Sequence, residues 1–283
     1  MFMEKSRYKL LILIPMILLI GSIAFLVNNY AQTGEWFDRS IQLKGGTLIT
    51  LSSDIKISGD DIEILLSGYG DLTIRELSGF SGYGLLIEIA AEVDVDEVIN
   101  IIENSGVQIE TTSIETIGPA LGESFWSQAQ VGIIIAFVLM GIIVLGIFRT
   151  AVPSFAVILA AVSDIIITLA LMQIFGIVLS LASLAALLML IGYSIDTDIL
   201  LTTRLLRVKD NTLNQRLRNT FKTGVTMTGT TIGVLASLLI FGASAVLSEI
   251  AAVLLIGLVI DLVNTWLQNA VLLKWYCERR GIE

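Results

Sequence analysis

Four aspartates stand inside long apolar runs: Asp164, Asp196, Asp198 and Asp261. A carboxylate near the middle of a bilayer costs about 2.5–3.5 kcal/mol on insertion scales, so such acids face a polar interior and mark ion or proton routes. Asp261 heads a polar stripe with Asn264 and Gln268 at i, i+3 and i+7, one face of a helix. Thr223, Thr226 and Thr230 repeat at the same spacing one run upstream. Such groups on facing helices could line a hydrated path for a proton or ion. Hydrogen-bonded to one another, they would simply hold helices together. Arg204 and Lys222 complete the candidate ion-coupling set. In the first case Asp196 or Asp198, with Asp164 or Asp261, changes protonation as ions cross, and the shift in burial moves structure outside the membrane. One charge moved through 100 mV supplies about 2.3 kcal/mol for this.

Other chemistries lose ground on composition. The 283 residues contain no histidine, so triads, imidazole metal sites and imidazole switches are excluded. The single cysteine, Cys277, cannot form an internal disulfide. No GxxxxGK[ST] element is present, basic residues do not interleave with aromatics, and neither nucleotide hydrolysis nor nucleic-acid binding is expected. No metal, cofactor or enzymatic activity is expected. An intramembrane aspartyl protease needs two carboxylates sharing a proton. Its YD and GLGD motifs are not matched by Tyr193-Ser194-Ile195-Asp196 or by Gly257-Leu258-Val259-Ile260-Asp261.

The elements that position the acids follow from hydropathy. The chain is 55% hydrophobic and only 15% charged, a balance that points to lipid. Six apolar runs are long enough to span about 30 Å of hydrocarbon: Leu10–Val27, Val131–Phe148, Val152–Phe175, Ile177–Leu201, Gly224–Phe241 and Ile250–Leu273. The first reads as an uncleaved signal anchor, because its apolar stretch exceeds a signal core and no small-residue cleavage site follows. Arg149, Thr150 and Ala151 alone separate the second and third runs, a tight hairpin. Placing both termini in the cytoplasm puts Lys5, Arg7, Lys9, Arg149, Arg204, Arg207, Lys209, Arg216, Arg218, Lys222, Lys274, Arg279 and Arg280 on one side, as the positive-inside rule requires. The organisation is a cytoplasmic N-terminus with the first span (1–30), an extracytoplasmic domain (31–128), spans two to six (129–275) and a cytoplasmic tail (276–283). Within this, residues 202–222 form a basic cytoplasmic loop. It is either an interfacial amphipathic helix with Leu206, Leu213, Leu217 and Phe221 on its apolar face, or a plain connector.

The segment from Asn28 to Gln128 holds 17 acidic and 4 basic residues, so the net charge of −9 belongs to it. Its pattern predicts a strand at 45–51, a helix after Ser58-Gly59-Asp60-Asp61 stopped by Gly68 and Gly70, and strands at 72–77 and 85–90. A second helix over Asp94–Asn104, stopped by Gly106, and a last strand at Val107–Thr111 follow. The order β-α-β-β-α-β is the ferredoxin-like split pattern. The fold class is thus a six-helix α-helical membrane bundle with an α+β domain between helices one and two.

Three stretches carry a family resemblance. Gly45-Gly46-Thr47 opens the first domain strand. Ile117-Gly118-Pro119-Ala120-Leu121-Gly122 precedes the second span. Ile191-Gly192-Tyr193-Ser194-Ile195-Asp196-Thr197-Asp198, trailed by Arg204, lies in the fourth. Together with span number and loop size, these resemble the SecD/SecF family of protein-export membrane proteins, on its SecF side and in its archaeal form. The resemblance implies the resistance-nodulation-division architecture, with a SecD partner contributing six further spans. It also implies assistance to a SecYEG-type channel handling preprotein, driven in bacterial members by the proton gradient. The bacterial acid aligns with Thr197, flanked here by Asp196 and Asp198, and a bacterial arginine aligns with Thr223 beside Lys222. A translocon scaffold without ion coupling and half of a small-molecule efflux transporter remain the competing functions.

Overall fold

The computed structural model describes residues 8–53, 58–66, 72–79, 82–89, 93, 95–104, 111–207, 212–241 and 244–282. Among these, six helical stretches have the length and apolarity to cross a bilayer. The first is α1 (Leu13–Thr33), entered through a 3-10 turn at Tyr8–Ile12 and closed by Gly34 at φ 78°, whose N–H returns to Tyr30. The others are α5 (Pro119–Phe148), α6 (Ala151–Ile174), α7 (Leu181–Arg207) and α8 (Leu213–Phe241). The sixth starts as α9 (Ala245–Val263), widens into a π-helical turn (Asn264–Asn269) and ends as α10 (Ala270–Arg280). Small residues let these helices approach. Ala156, Ala160 and Ala161 of α6 and Ala251 of α9 are buried, and the space a Cβ would need at Gly257 holds the Leu190 side chain of α7.

The sequence places the fourth span from Ile177, whereas α7 starts at Leu181. Residues 177–180 are not helical, and Leu179 bridges to Arg39. Of the two readings of 202–222, an interfacial helix or a plain connector, the described residues form neither a separate helix nor a loop: 202–207 end α7 and 213–222 begin α8, and Leu205 and Leu217 pack with Leu201, Trp266, Ala270 and Leu273. Lys5, Arg7 and Lys209 lie outside the described residues.

Between α1 and α5 stand a short helix α2 (Ile41–Lys44), β1 (Gly46–Ser53), α3 (Gly59–Leu66), β2 (Leu72–Gly79), β3 (Gly82–Ile89), α4 (Val95–Asn104) and β4 (Thr111–Ile117). The strands form one antiparallel sheet in the order β2-β3-β1-β4. Alternation along the strands sends Ile49, Leu51, Leu85, Ile87 and Ile89 onto one face. There they meet Ile62 and Leu66 of α3 and Val98 and Ile102 of α4, all but removed from water. The last described strand, 111–117, continues past the expected end at Thr111: it pairs with β1 from Ser52↔Thr111 to Gly46↔Ile117 and runs straight into the Gly118-Pro119 corner. The helix stops at Gly68, Gly70 and Gly106, and most of the expected 107–111 strand, lie outside the described residues.

Candidate functional site

Three of the four aspartates come together. Asp164 on α6, Asp198 on α7 and Asp261 on α9 are each at most 1% exposed. Asp164 accepts from Ser194 Oγ at 2.6 Å through Oδ2 and from Asn264 Nδ2 at 2.7 Å through Oδ1. Asp198 Oδ1 accepts from Asn269 Nδ2 at 2.7 Å and lies 3.0 Å from Thr265 Oγ1, which is also 3.1 Å from Asp261 Oδ1. A hydroxyl carries one proton, so Thr265 donates to one of these carboxyls at a time. The contact with the other is a hydrogen bond only when that carboxyl holds a proton of its own. Gln268 Nε2 reaches Ser163 Oγ at 3.5 Å. Among the described residues no Lys or Arg pairs with any of the three acids.

The π-helical turn explains why four polar side chains from one short stretch all face inward. Hydrogen bonds close from i to i+5 there, as the Ala270 N–H bond to Thr265 O shows, so each turn holds an extra residue. Asn264, Thr265, Gln268 and Asn269 are all fully buried. The sequence stripe captured Asp261, Asn264 and Gln268 and missed Thr265 and Asn269. The second ridge, Asp261-Thr265-Asn269 at i, i+4 and i+8, was the available signal. Ser194, marked only as a motif residue, is the donor to Asp164.

The remaining candidates lie elsewhere. Asp196, Gly192 and Tyr193 are exposed on the other face of α7, pointing out of the bundle. Thr226 and Thr230 are exposed on α8 and donate to carbonyls of their own helix, Lys222 O and Met227 O. Arg204 Nη1 reaches Thr223 Oγ1 at 3.5 Å between the C-terminal turn of α7 and the N-terminal part of α8, and Lys222 is exposed.

At the opposite end, the first two motifs meet. Gly45 has φ +87°, and a Cβ there would lie 2.5 Å from Pro119 Cα; Gly46 has φ +142°, with Ile89 O 2.5 Å from its Cβ position. The Thr47 hydroxyl lies 3.0 Å from that of Thr116 on β4. Gly118 caps α5, with Pro119 in its first turn. The segment just before Gly45 is a strap on the α6–α7 connection. Asp38 N donates to Gln173 Oε1 at 2.9 Å, and Gln173 Nε2 donates to Asp38 Oδ2 at 2.7 Å. Leu179 N donates to Asp38 O and Ser40 N to Leu179 O, both at 2.8 Å. On the domain side Ile41 N donates to Glu88 Oε2 at 3.3 Å, while Leu43 is buried in the membrane core. Ser180 then donates to Glu249 Oε1 at 2.5 Å, tying in the start of α9.

Carboxyls shared among three bilayer-length helices, with a small sheet domain strapped to the same helices, define a multi-pass membrane protein with a polar interior. A family model described as protein export membrane protein SecD/SecF, C-terminal, matches residues 97–279. The chain is 42% identical to the protein-export membrane protein SecF of Pyrococcus furiosus over 274 residues, covering 96% of this chain and 92% of the relative. It is 40% identical to the SecF of Methanothermobacter thermautotrophicus, covering 98% and 95%. The chain belongs to the SecD/SecF family of protein-export membrane proteins. Its fold is similar to the crystal structure of SecDF, a translocon-associated membrane protein from Thermus thermophilus, with a TM-score of 0.76 at 21% identity. A SecDF structure in a super-membrane-facing form gives 0.61 at 22% identity. The chain spans 38% of the first of these SecDF chains while 96% of its own length is matched.

Proposed function

We propose that this chain is an accessory subunit of the Sec protein-export machinery. In that role it pairs with a SecD-type partner, assists a SecYEG-type channel in moving preprotein, and couples this to ion or proton movement through the Asp164–Asp198–Asp261 cluster. The single observation that carries the coupling is the Thr265 hydroxyl held between Asp198 and Asp261. It makes the protonation of one acid depend on the state of the other, and the acids belong to different helices. A change of occupancy is therefore a change in how α7 packs on α9.

The strap supports transmission to the outer domain. Asp38 and Ser40 grip the connection that leads into α7, and Ser180 grips α9, so displacement of either helix pulls on residues 38–45. Gly45 and Gly46 pass that pull into β1 and the start of α5. The domain itself is of ferredoxin-like type on the extracytoplasmic side, with both termini in the cytoplasm. Its element order and its β2-β3-β1-β4 sheet support the first statement, and the distribution of basic residues supports the second. The outward face of α7, with Gly192, Tyr193 and Asp196, is where the SecD half packs, since an acid near mid-span needs a polar partner rather than lipid.

The test is export in cells lacking the chain, complemented with wild type or with Asp198→Asn and Asp261→Asn together. Loss of export with the doubly neutralised chain still inserted and paired supports ion coupling. Full export with it supports the scaffold role instead.

A further inference from the structure

We infer that the edge of β4 turned away from β1 takes up an extended polypeptide of varied sequence as a further strand of the sheet. The inference rests on the export reading only in naming that polypeptide as preprotein in transit. It starts from how the sheet ends. The order β2-β3-β1-β4 leaves β2 and β4 at its edges. Alternate N–H and C=O groups of an edge strand are unpaired, and natural sheets blunt them with Lys or Pro, bulges, short strands or a covering element. β2 carries Arg75 and Glu76 and lies against α3 and α8. β4 has none of these devices. Its seven residues, Thr-Thr-Ser-Ile-Glu-Thr-Ile, include no Lys, Arg or Pro, and they keep an unbroken register with β1. Thr112, Ser113, Ile114, Glu115 and Thr116 are all exposed, so no described element covers the strand.

The side chains say what kind of chain fits. Register with β1 puts Thr112, Ile114 and Thr116 on the face of Leu51, Ile49 and Thr47, and Ser113 and Glu115 on the opposite face. The helices stop short of β4 on the first face: Ile49 is fully buried, whereas Ile114 is 48% exposed. An added strand would set an apolar side chain beside Ile114, the cross-strand contact that the sheet leaves open there. Around Ile114 stand short hydroxyls, and that of Thr116 already lies 3.0 Å from that of Thr47. In strand addition the main chain supplies affinity and side-chain pockets supply specificity. β4 offers main-chain groups and one apolar contact flanked by short side chains, which suits a chain of changing sequence better than one fixed folded partner. Charge selects further. Glu115 is the one charge on the strand, and Asn28 to Gln128 hold 17 acidic residues against 4 basic ones. A segment bearing Lys or Arg is therefore drawn in.

The experiment is fluorescence anisotropy with the full chain, purified with its membrane partner in lipid nanodiscs. The probe is a labelled peptide of alternating Val and Thr, the length of β4, with Lys at both ends. The control peptide has Pro at every second position and cannot pair as a strand. Saturable binding of the probe and none of the control is expected, weakened by added salt. Ile114→Lys and Glu115→Lys, both at exposed positions, should each raise the half-saturation concentration by about tenfold, because they set a like charge on the edge. Ile114→Val keeps the apolar contact and should bind as wild type. Hydrogen exchange over 112–116 should slow when the probe is bound. No saturable binding, equal binding of probe and control, unchanged binding in both lysine variants, or unchanged exchange over 112–116 overturns the inference. So does protection of 112–116 in the paired complex before the probe is added, which would assign the edge to the membrane partner. The readout does not use export: probe binding with no export defect on deletion would sink the export role and leave the edge standing.

Discussion

Gly45 and Gly122, distant in sequence, meet backbone to backbone where the sheet domain joins α5. A Cβ at Gly122 would lie 2.6 Å from the Gly45 nitrogen and 3.0 Å from the Lys44 carbonyl carbon. Neither neighbour is the yielding end of a side chain, so the joint closes only with glycine at 122. Gly45 carries a second requirement, its φ of +87°, which L side chains rarely adopt. Gly122→Ala is expected to destabilise the chain by about 1–3 kcal/mol, the range for forced overpacking. Midpoint temperatures of heated, detergent-solubilised samples check this; a Gly122→Ala midpoint equal to wild type would show that the corner is loose.

Thr265 meets Asp198 and Asp261 through its hydroxyl, and isosteric replacement removes that group while keeping the side-chain volume. Thr265→Val leaves Asp198 and Asp261 without their shared group, and loss of a hydrogen bond to a charged group costs about 1.5–3 kcal/mol. Export driven by an imposed ion gradient should fall sharply in Thr265→Val and recover in Thr265→Ser. The ratio of rates with and without the gradient is the measurement, because a merely structural defect would lower both alike.

The Asp38–Gln173 pair is exposed and therefore contributes little to stability. Its value lies in position, between the strap and α6. Asp38→Ala should shift thermal stability by less than about 1 kcal/mol while reducing export. Normal export in Asp38→Ala and Gln173→Ala together would remove the strap from the coupling route.

Asp196 separates the inner cluster from the outer face of α7. Asp196→Lys and Asp196→Leu should reduce co-purification of a second six-span protein in mild detergent, and Asp196→Asn should largely preserve it. Equal recovery of the partner with all three variants would place the interface elsewhere.

Much of the molecule was legible in its residues. Hydropathy alone marks six spans, since a bilayer sets the length of apolar helix it accepts. Strand alternation and turn residues likewise mark the order of the sheet domain up to β3. The last strand expected at Val107–Thr111 lies mostly outside the described residues; the described strand, Thr111–Ile117, extends beyond it, and its pairing with β1 is a contact between residues far apart in the chain.

The acids show the same division. Their presence in apolar runs tells that they are interior and polar-partnered, because lipid offers a carboxylate nothing. Which of them meet is a matter of helix rotation. Asp196 and Asp198 are two residues apart, about 200° around a helix, so one had to face outward when the other faced in; nothing local chooses between them. The choice came from packing: Gly257 admits Leu190 and brings α7 onto α9, and the π-helical turn rotates Thr265 and Asn269 inward beside Asn264 and Gln268. Residue type therefore determined that this chain carries buried acids across a membrane. Only the close approach of α6, α7 and α9 decided that Asp164, Asp198 and Asp261 form one site, because side chains on separate helices interact only once backbone packing brings them within hydrogen-bonding reach.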